Sequence, residues 1–522
     1  MPIPAAWNRA PLPPNSLTPL PPCAIRAAGW LRTQIERERP RNEEDRLLCA
    51  VLLGDAALER RAQAEAEAYL DTEPQDCLGR AGWLMRYYGF RGDKRVPRAL
   101  LCAVRSLYQA LPGHPLSAQE AADISLPLQT ALWLYNLTGQ KGLLEFCRLL
   151  KAQAPDWTST LHVFPQTRPV ADAPDPQTDA YWRAHGVAVA AGLKTAGMQA
   201  LFEGGLKNET AFSVGWSKLV HHHGAAHGLF NADPLLAGAN PSRGLSPQVV
   251  VQMLDTLPAL LWALGDPACG DVLESAVFNA LPASRGLQRA NQLLPGEGEP
   301  AAGWARYGAS LWMAASDGGL AAIGYAPCQV RWRLCGQAVR LQVDTSYPAE
   351  ERVRILVHTA QPAAFPIHLR IPAWAEGARW QVNGEEESAA AAGRFARVER
   401  VWREGDVLTL LLPMAVRTVP RYHQSLSVER GPLVYALAVE KETPWNLALL
   451  AGRGLEAGRE DGLPVVYACA AATPSWERSG DVPAPPPVAP CVRAEDARRV
   501  RLVPYGVAGA RIAQFPSGTE RS

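Results

Sequence analysis

The densest run of chemically capable side chains lies between His221 and Gln248 and opens His221-His222-His223-Gly224-Ala225-Ala226-His227-Gly228. Such a histidine cluster suggests a metal, because neutral imidazole is the commonest metal ligand. The spacing argues against one: the side chains of consecutive His221 to His223 diverge, and no carboxylate or cysteine follows at a zinc-like interval. With glycines beside them that let a ligand come close, one or two of these histidines are candidates for contacting a substrate. A second chemistry is acid–base work by two carboxylates, the machinery that cleaves glycosidic bonds. Asp233, Asp255, Glu274, Glu297 and Glu299 supply the residue type. Asp255 and Glu274 fall in helical stretches and read as charges on a solvated face. Glu297 and Glu299 sit in the flexible run Pro295-Gly296-Glu297-Gly298-Glu299-Pro300, and Asp233 alone lies within the histidine-bearing segment. Trp182, Trp216, Trp262, Trp304 and Trp312 offer faces for stacking on sugars, although tryptophan at helical spacing more often serves the core. Neither a G-x-G-x-x-G, a Walker loop nor a G-x-S-x-G element is present, so nucleotide binding and serine hydrolysis have no support.

A chain of 522 residues has room for two to four domains with ample core. Lys plus Arg number 52 and Asp plus Glu 51, a net charge of +1, which removes any general attraction to nucleic acid or anionic lipid. The opening Met1-Pro2-Ile3-Pro4 lacks the basic and apolar regions of a signal peptide, and no run of about 18 apolar residues reads as a membrane span. The ten cysteines are scattered without a C-x-x-C pair, the pattern of reduced, buried thiols in a cytoplasmic protein.

The elements that must position these residues fall into two kinds. As far as about residue 315 the pattern is helical, broken at Leu53-Gly54-Asp55, Gly92-Asp93, Thr138-Gly139-Gln140, Gly204-Gly205 and Leu264-Gly265-Asp266-Pro267. At each joint glycine takes the left-handed conformation that ends one helix, and in the Gly-Asp joints aspartate can cap the next. Five such joints without intervening strands suggest a ring of helix pairs, with an open bundle as the alternative. From about 316 the period becomes two: Val339, Leu341 and Val343 alternate, then Val353, Ile355 and Val357, then Ile367, Leu369 and Ile371. Asn383-Gly384 predicts a hairpin between the run ending at Val382 and Phe395–Trp402. Val407 to Leu412 reads as a buried strand. This β-sandwich pattern occupies residues 316–440. A third region, 441–522, adds short strands, a Pro-rich surface crossing from Pro483 to Pro490, and a returning strand pair from Leu502-Val503-Pro504-Tyr505-Gly506 to Arg511-Ile512.

Several segments are familiar in combination. In the helical part they are Gly29-Trp30-Leu31-Arg32, Leu132-Trp133-Leu134-Tyr135-Asn136-Leu137-Thr138-Gly139, Asp156-Trp157-Thr158, His185-Gly186-Val187, His223-Gly224, Asn240-Pro241-Ser242 and Phe278-Asn279-Ala280-Leu281-Pro282. In the β part they are Leu369-Arg370-Ile371-Pro372-Ala373-Trp374, Val382-Asn383-Gly384, Glu429-Arg430-Gly431-Pro432-Leu433-Val434-Tyr435 and Leu502-Val503-Pro504-Tyr505-Gly506. In their order and number the chain resembles glycoside hydrolase family 127, the β-L-arabinofuranosidase-like family, over nearly its whole length. The resemblance implies an (α/α)6 barrel carrying the active site, followed by β-sandwich domains. It also implies a retaining mechanism with a cysteine thiolate as nucleophile, a zinc ion held by cysteines and a glutamate, and a separate glutamate as acid.

The same comparison shows where this chain departs. At the family's Gly-Asp-Glu it reads Ala232-Asp233-Pro234, and at Gly-Thr-Glu-Leu-Cys it reads Gly244-Leu245-Ser246-Pro247-Gln248. Gly303-Trp304-Ala305-Arg306-Tyr307-Gly308-Ala309-Ser310-Leu311-Trp312 survives, but the preceding Pro295 to Ala302 is shortened and lacks the family's paired cysteines; Cys269 and Cys328 match no family ligand. The expectation is therefore a scaffold without zinc or other cofactor, catalytically silent or altered, with a carbohydrate ligand contacted by His185, His223, Asp233 and Trp304. The alternatives are a glycosidase using Asp233 with Glu297 or Glu299, which needs carboxyls about 5–10 Å apart, and a scaffold in which His185 and His223 are satisfied core histidines. Neither nucleic acid nor membrane is expected as a partner, and the β-domain surfaces leave room for a homodimer.

Overall fold

Helix ends follow the local chemistry. Gly54, Gly92, Gly139 and Gly265 adopt φ of 67°, 73°, 73° and 66°. Asp55 accepts the N–H groups of Ala57 and Leu58, and Asp266 that of Ala268, at the start of the following helices. The computed structural model describes residues 7–72, 76–440 and 444–521; Met1-Pro2-Ile3-Pro4 lies outside them.

Eight helices matter for the site: α1 (Glu43–Leu53), α2 (Ala81–Arg91), α3 (Ser125–Thr138), α4 (Gly186–Glu203), α5 (Leu206–His223), α6 (Pro247–Leu264), α7 (Ala268–Ser275) and α8 (Trp304–Ala309). Neighbour contacts run from α1 to α2, α3, α4, α6 and α8, and return from α8 to α1. The sequence of α4 explains its central place: it is buried along nearly its whole length and carries small residues where neighbours come close. A Cβ on Gly192 would lie 2.4 Å from the Trp157 ring, and one on Gly197 2.2 Å from Leu260 of α6. Helix α6, with 18 residues and a mean hydropathy of 1.2, meets the length and apolarity of a membrane span. Here it packs against α4 within the helical domain.

The β part forms two facing layers and a third sheet. The five-stranded sheet orders Leu17–Pro19, Trp312–Ala315, Leu320–Ala322, Ala363–Ile371 and Arg394–Trp402. The seven-stranded sheet runs from Ser388–Ala389 through Arg379–Val382, Val407–Leu411, Arg352–Thr359, Gln337–Thr345 and Cys328–Leu334 to Ile25–Ala27. Two strands from before α1 thus complete these sheets, tying the N-terminal region to the β part. The expected alternation holds: Val339, Leu341, Val343, Val353, Ile355, Val357, Ile367, Leu369 and Ile371 are all buried.

Two expected pairings differ. Asn383 and Gly384, at φ 52° and 78°, do make a tight turn, but it closes the short ladder of Arg379–Val382 with Ser388–Ala389. Phe395–Trp402 crosses to the other sheet and pairs with Ala363–Ile371, which buries Val398 and Trp402. Leu502–Pro504 and Arg511–Ile512 do not pair with each other. Both lie along Leu433–Ala438, through Ala436 with Val503 and Leu437 with Ile512.

Two helical carboxylates expected on a solvated face sit in ion networks instead, Glu274 fully buried and Asp255 half-buried. Glu274 at the end of α7 is 1% exposed and meets Arg370, while Asp255 of α6 meets the fully buried Lys194 of α4. A lone charge on an otherwise apolar helix is buried with its face and requires a partner.

Candidate functional site

Asp233 stands in the loop joining α5 to α6. Arg243 donates to it twice, Nη2 at 2.6 Å and Nε at 3.0 Å, and the Gly244 N–H adds a contact at 3.4 Å. The two-pronged guanidinium bond is the strongest type of carboxylate pairing, and it raises the Arg243 pKa. Pro234 follows, a side chain with no proton to transfer. Because both partners keep some contact with solvent, the pair is worth about 1 kcal/mol. A double-mutant cycle of Arg243→Ala with Asp233→Asn, read by urea denaturation, is expected to show a coupling of that size; strictly additive effects would contradict the pairing.

The loop is held against the start of α4. The Gly186 N–H donates to the Pro234 carbonyl at 2.9 Å, and the Leu236 N–H to Ala184 at 2.8 Å. His185, at the N-cap of α4, stacks beside Tyr181 and packs against Trp182, with ring centroids 5.7 and 5.1 Å away. Its Nδ1 is buried without a partner, and burial lowers its pKa, so the ring is neutral with one nitrogen unused.

The other histidines are occupied. His223 is fully buried; its Nε2 lies 2.6 Å from the Gln166 carbonyl and its Nδ1 accepts the Gly238 N–H at 2.8 Å. Burial pushes its pKa down to about 4. His227, also fully buried, is pushed down to about 3 by burial and lies 3.4 Å from the Asn231 amide oxygen. His222 stacks on Phe164 at 5.9 Å. Trp304 begins α8 in an aromatic cluster with Trp30, Phe278 and Tyr307. Glu38 caps that helix by accepting the N–H groups of Gly303, Trp304 and Ala305. Glu297 is exposed, and Glu299 is exposed with its nearest cation, Arg41, at 3.7 Å. Neither meets Asp233, whose oxygens face Arg243.

Elsewhere in the helical domain, the first turns of α1, α2, α3 and α8 and the middle of α6 surround a polar cavity of about 310 Å³. Asn42, Glu44, Trp83, Gln252, Asp255 and Arg306 are on its wall. Its floor is an ion network. Lys194 Nζ bonds Asp255 Oδ2 at 2.6 Å, and Arg86 lies 4.0 Å from Asp255 and 2.6 Å from Glu44. Arg306 joins Glu44 at 3.5 Å to Asp45 at 2.9 Å. Burial pushes Asp255 up, but the charge and hydrogen bond of Lys194, with Arg86 and Arg306, outweigh it and hold the carboxyl at about 2. Trp83, 4% exposed, keeps its indole N–H without an acceptor. On the other side of the network a more apolar cavity of about 170 Å³ opens among Met85, Trp133, Trp262 and Trp312.

Reading the sequence alone missed this network. A signal was present: Lys194 is the single cation in the apolar run of α4, and Asp255 the single charge in α6. Each implies an opposite charge somewhere in the fold.

The zinc implied by the family resemblance does not fit these residues. Ser246 and Gln248 offer a neutral hydroxyl and an amide where zinc takes thiolate, imidazole or carboxylate. Cys269 and Cys328 are fully buried in other elements, and burial raises both thiols, Cys328 to about 12. Among the described residues no group of three His, Cys, Asp or Glu side chains is placed to hold a metal ion.

The fold, an N-terminal helical domain followed by β-rich domains, is shared with solved structures of glycoside hydrolases. A solved structure described as a glycoside hydrolase matches with a TM-score of 0.73 at 15% identity, covering 97% of this chain and 98% of that one. A GH127 β-L-arabinofuranosidase from Geobacillus stearothermophilus T6 matches at 0.65 and 18% identity, over 95% and 92%. A further GH127 β-arabinofuranosidase matches at 0.68 and 14%, over 96% and 98%. No curated protein matches the sequence. Residues 319–414 match the family described as β-L-arabinofuranosidase, GH127 middle domain. That match lies within a fold shared with GH127 structures along nearly the whole chain.

Proposed function

We propose that this protein binds a neutral, arabinose-sized sugar in the polar cavity of its helical domain and does not hydrolyse glycosides by a zinc–thiolate route. The observation that carries the reading is the cavity itself, whose wall gathers the hydrogen-bonding side chains of Asn42, Glu44, Gln252, Asp255 and Arg306. Hydroxyl-rich ligands suit such a site: carboxylates accept from them, while guanidinium, amide and indole N–H groups donate. The positions that match the family's acid and zinc ligands hold Pro234, Ser246 and Gln248, none of which supplies the corresponding chemistry.

The test pairs binding with turnover. L-Arabinose and methyl arabinofuranosides are expected to raise the melting temperature of wild type. Gln252→Ala and Asn42→Ala, each of which removes a hydrogen-bonding group from the cavity wall, should blunt the effect. A sugar response that is absent, or the same in both variants, would sink the reading. An aryl β-L-arabinofuranoside, offered with and without chelator, tests hydrolysis. Turnover that survives the chelator and disappears in Asp233→Ala would instead support a carboxylate glycosidase using Asp233 with Glu297 or Glu299. Metal analysis of untagged protein should find well under one zinc per chain.

A further inference from the structure

The second cavity of the helical domain, across the ion network from the polar one, is built by helical spacing. Gln129, Trp133 and Asn136 follow one another along α3 at intervals of four and three residues, and all line it. Asp255, Ala259 and Trp262 repeat those intervals along α6, and α2 adds Met85 and Tyr88. Residues so spaced share one face of a helix, so three helices each turn a stripe toward the same space.

Size, wall, charge and free polar groups define what that space can take. At about 170 Å³ it slightly exceeds the ~150 Å³ of an engineered apolar cavity that takes benzene, so it holds one ring and no more. The wall is mostly flat and aromatic: Trp133 meets Tyr88 edge to face with centroids 5.3 Å apart, and Trp262 and the adaptable thioether of Met85 complete it. The network at the floor balances itself, with Glu44, Asp45 and Asp255 facing Arg86, Lys194 and Arg306. It leaves no net charge to recruit an ion, so the ligand is neutral. Among the described residues, neither the Gln129 amide nor the Tyr88 hydroxyl makes a hydrogen bond. Each can both donate and accept, which suits a single hydroxyl carried on the ring.

We propose that this cavity binds a neutral one-ring aromatic molecule bearing a hydroxyl, a phenol, with its ring among Trp133, Tyr88 and Trp262 and its hydroxyl on Gln129. A sugar suits the wall poorly, because hydroxyls all round its ring would face indole carbon and thioether without partners. Asp255 borders both cavities, but the Lys194–Asp255–Arg86 network lies between them. The phenol site therefore stands or falls separately from the sugar reading.

Ligand-observed NMR titration of the full chain with phenol, toluene, cyclohexanol and benzoate decides the matter. Phenol is expected to bind saturably, and about tenfold more tightly than cyclohexanol or benzoate. Gln129→Leu should weaken phenol about fivefold and change toluene less than about twofold, since only phenol loses a hydrogen bond. Toluene binding thus shows that this variant is folded. Ala259→Met, which extends a side chain from α6 into the cavity, should abolish binding of both rings. Excess L-arabinose should leave phenol bound. Absence of saturable phenol binding, equal binding of cyclohexanol, or phenol affinity unchanged in Gln129→Leu would each overturn the proposal. Displacement of phenol by arabinose would overturn it as well, by giving the cavity to the sugar.

Discussion

Replacing Lys194 by methionine is expected to cost about 1–3 kcal/mol, and adding Asp255→Leu to recover most of that loss. Lys194 is fully buried, and its ammonium bonds Asp255 at 2.6 Å in the middle of the helical domain. Removing the cation alone leaves the half-buried Asp255 carboxylate without its closest partner, with Arg86 at 4.0 Å as the nearest remaining cation. Removing both charges exchanges an ion pair, with its desolvation cost, for apolar packing between α4 and α6. Urea denaturation of the two variants checks this, and a double variant no more stable than the single one would contradict it. The pair also has a pH signature. The folded carboxyl is held at about 2, below its unfolded value of about 3.9. Its stabilising contribution is thus complete above the unfolded value and is lost as the pH falls through the folded one. The difference in stability between wild type and the double variant should change between about pH 4 and pH 2 and stay constant above that window.

The second large effect is expected where the helical and β domains meet. Arg370, fully buried in the strand Ala363–Ile371, reaches into α7, where it bonds Asp271 and lies 2.5 Å from Glu274. Its Nε donates to the Ile323 carbonyl. Glu274 also accepts from the Tyr347 hydroxyl at 2.7 Å and the Tyr325 N–H at 3.2 Å. Burial pushes the Glu274 carboxyl up and Arg370 opposes this, so the guanidinium keeps the charged form tolerable. Arg370→Met strands the fully buried Glu274, and leaves the half-buried Asp271 without its partner, and should cost about 3–5 kcal/mol. Glu274→Gln keeps the acceptor and should cost less. Thermal melting together with limited proteolysis reports the outcome: a lower midpoint and earlier cleavage between helical and β parts for Arg370→Met. A midpoint change under about 2 °C would refute the role.

Much of the architecture was legible in local pattern. Glycine at φ near +70° ends α1, α2, α3 and α6 because left-handed backbone excludes most side chains, and that requirement is visible one residue at a time. Alternation at Val339–Val343, Val353–Val357 and Ile367–Ile371 is equally local, since a strand presents every second residue to the core. The departures at Pro234, Ser246 and Gln248 needed only residue types.

Other features required the tertiary structure. Asn383-Gly384 announced a turn, but not that its partner strand would be Ser388–Ala389 while Phe395–Trp402 crossed to the opposite sheet. Asp255 and Glu274 looked like solvated charges because a helix shows which face a residue occupies, not what covers that face. Their partners, Lys194 and Arg370, lie far away in the chain. His223 looked available for a ligand until the fold placed the Gln166 carbonyl and Gly238 N–H on its two ring nitrogens. Residue type and period determine which elements form and where they end, because those rest on sterics within a few residues. Charge pairing, strand partnership and free hydrogen-bonding capacity were decided only by the tertiary structure, because each is a contact between segments that no local pattern brings together.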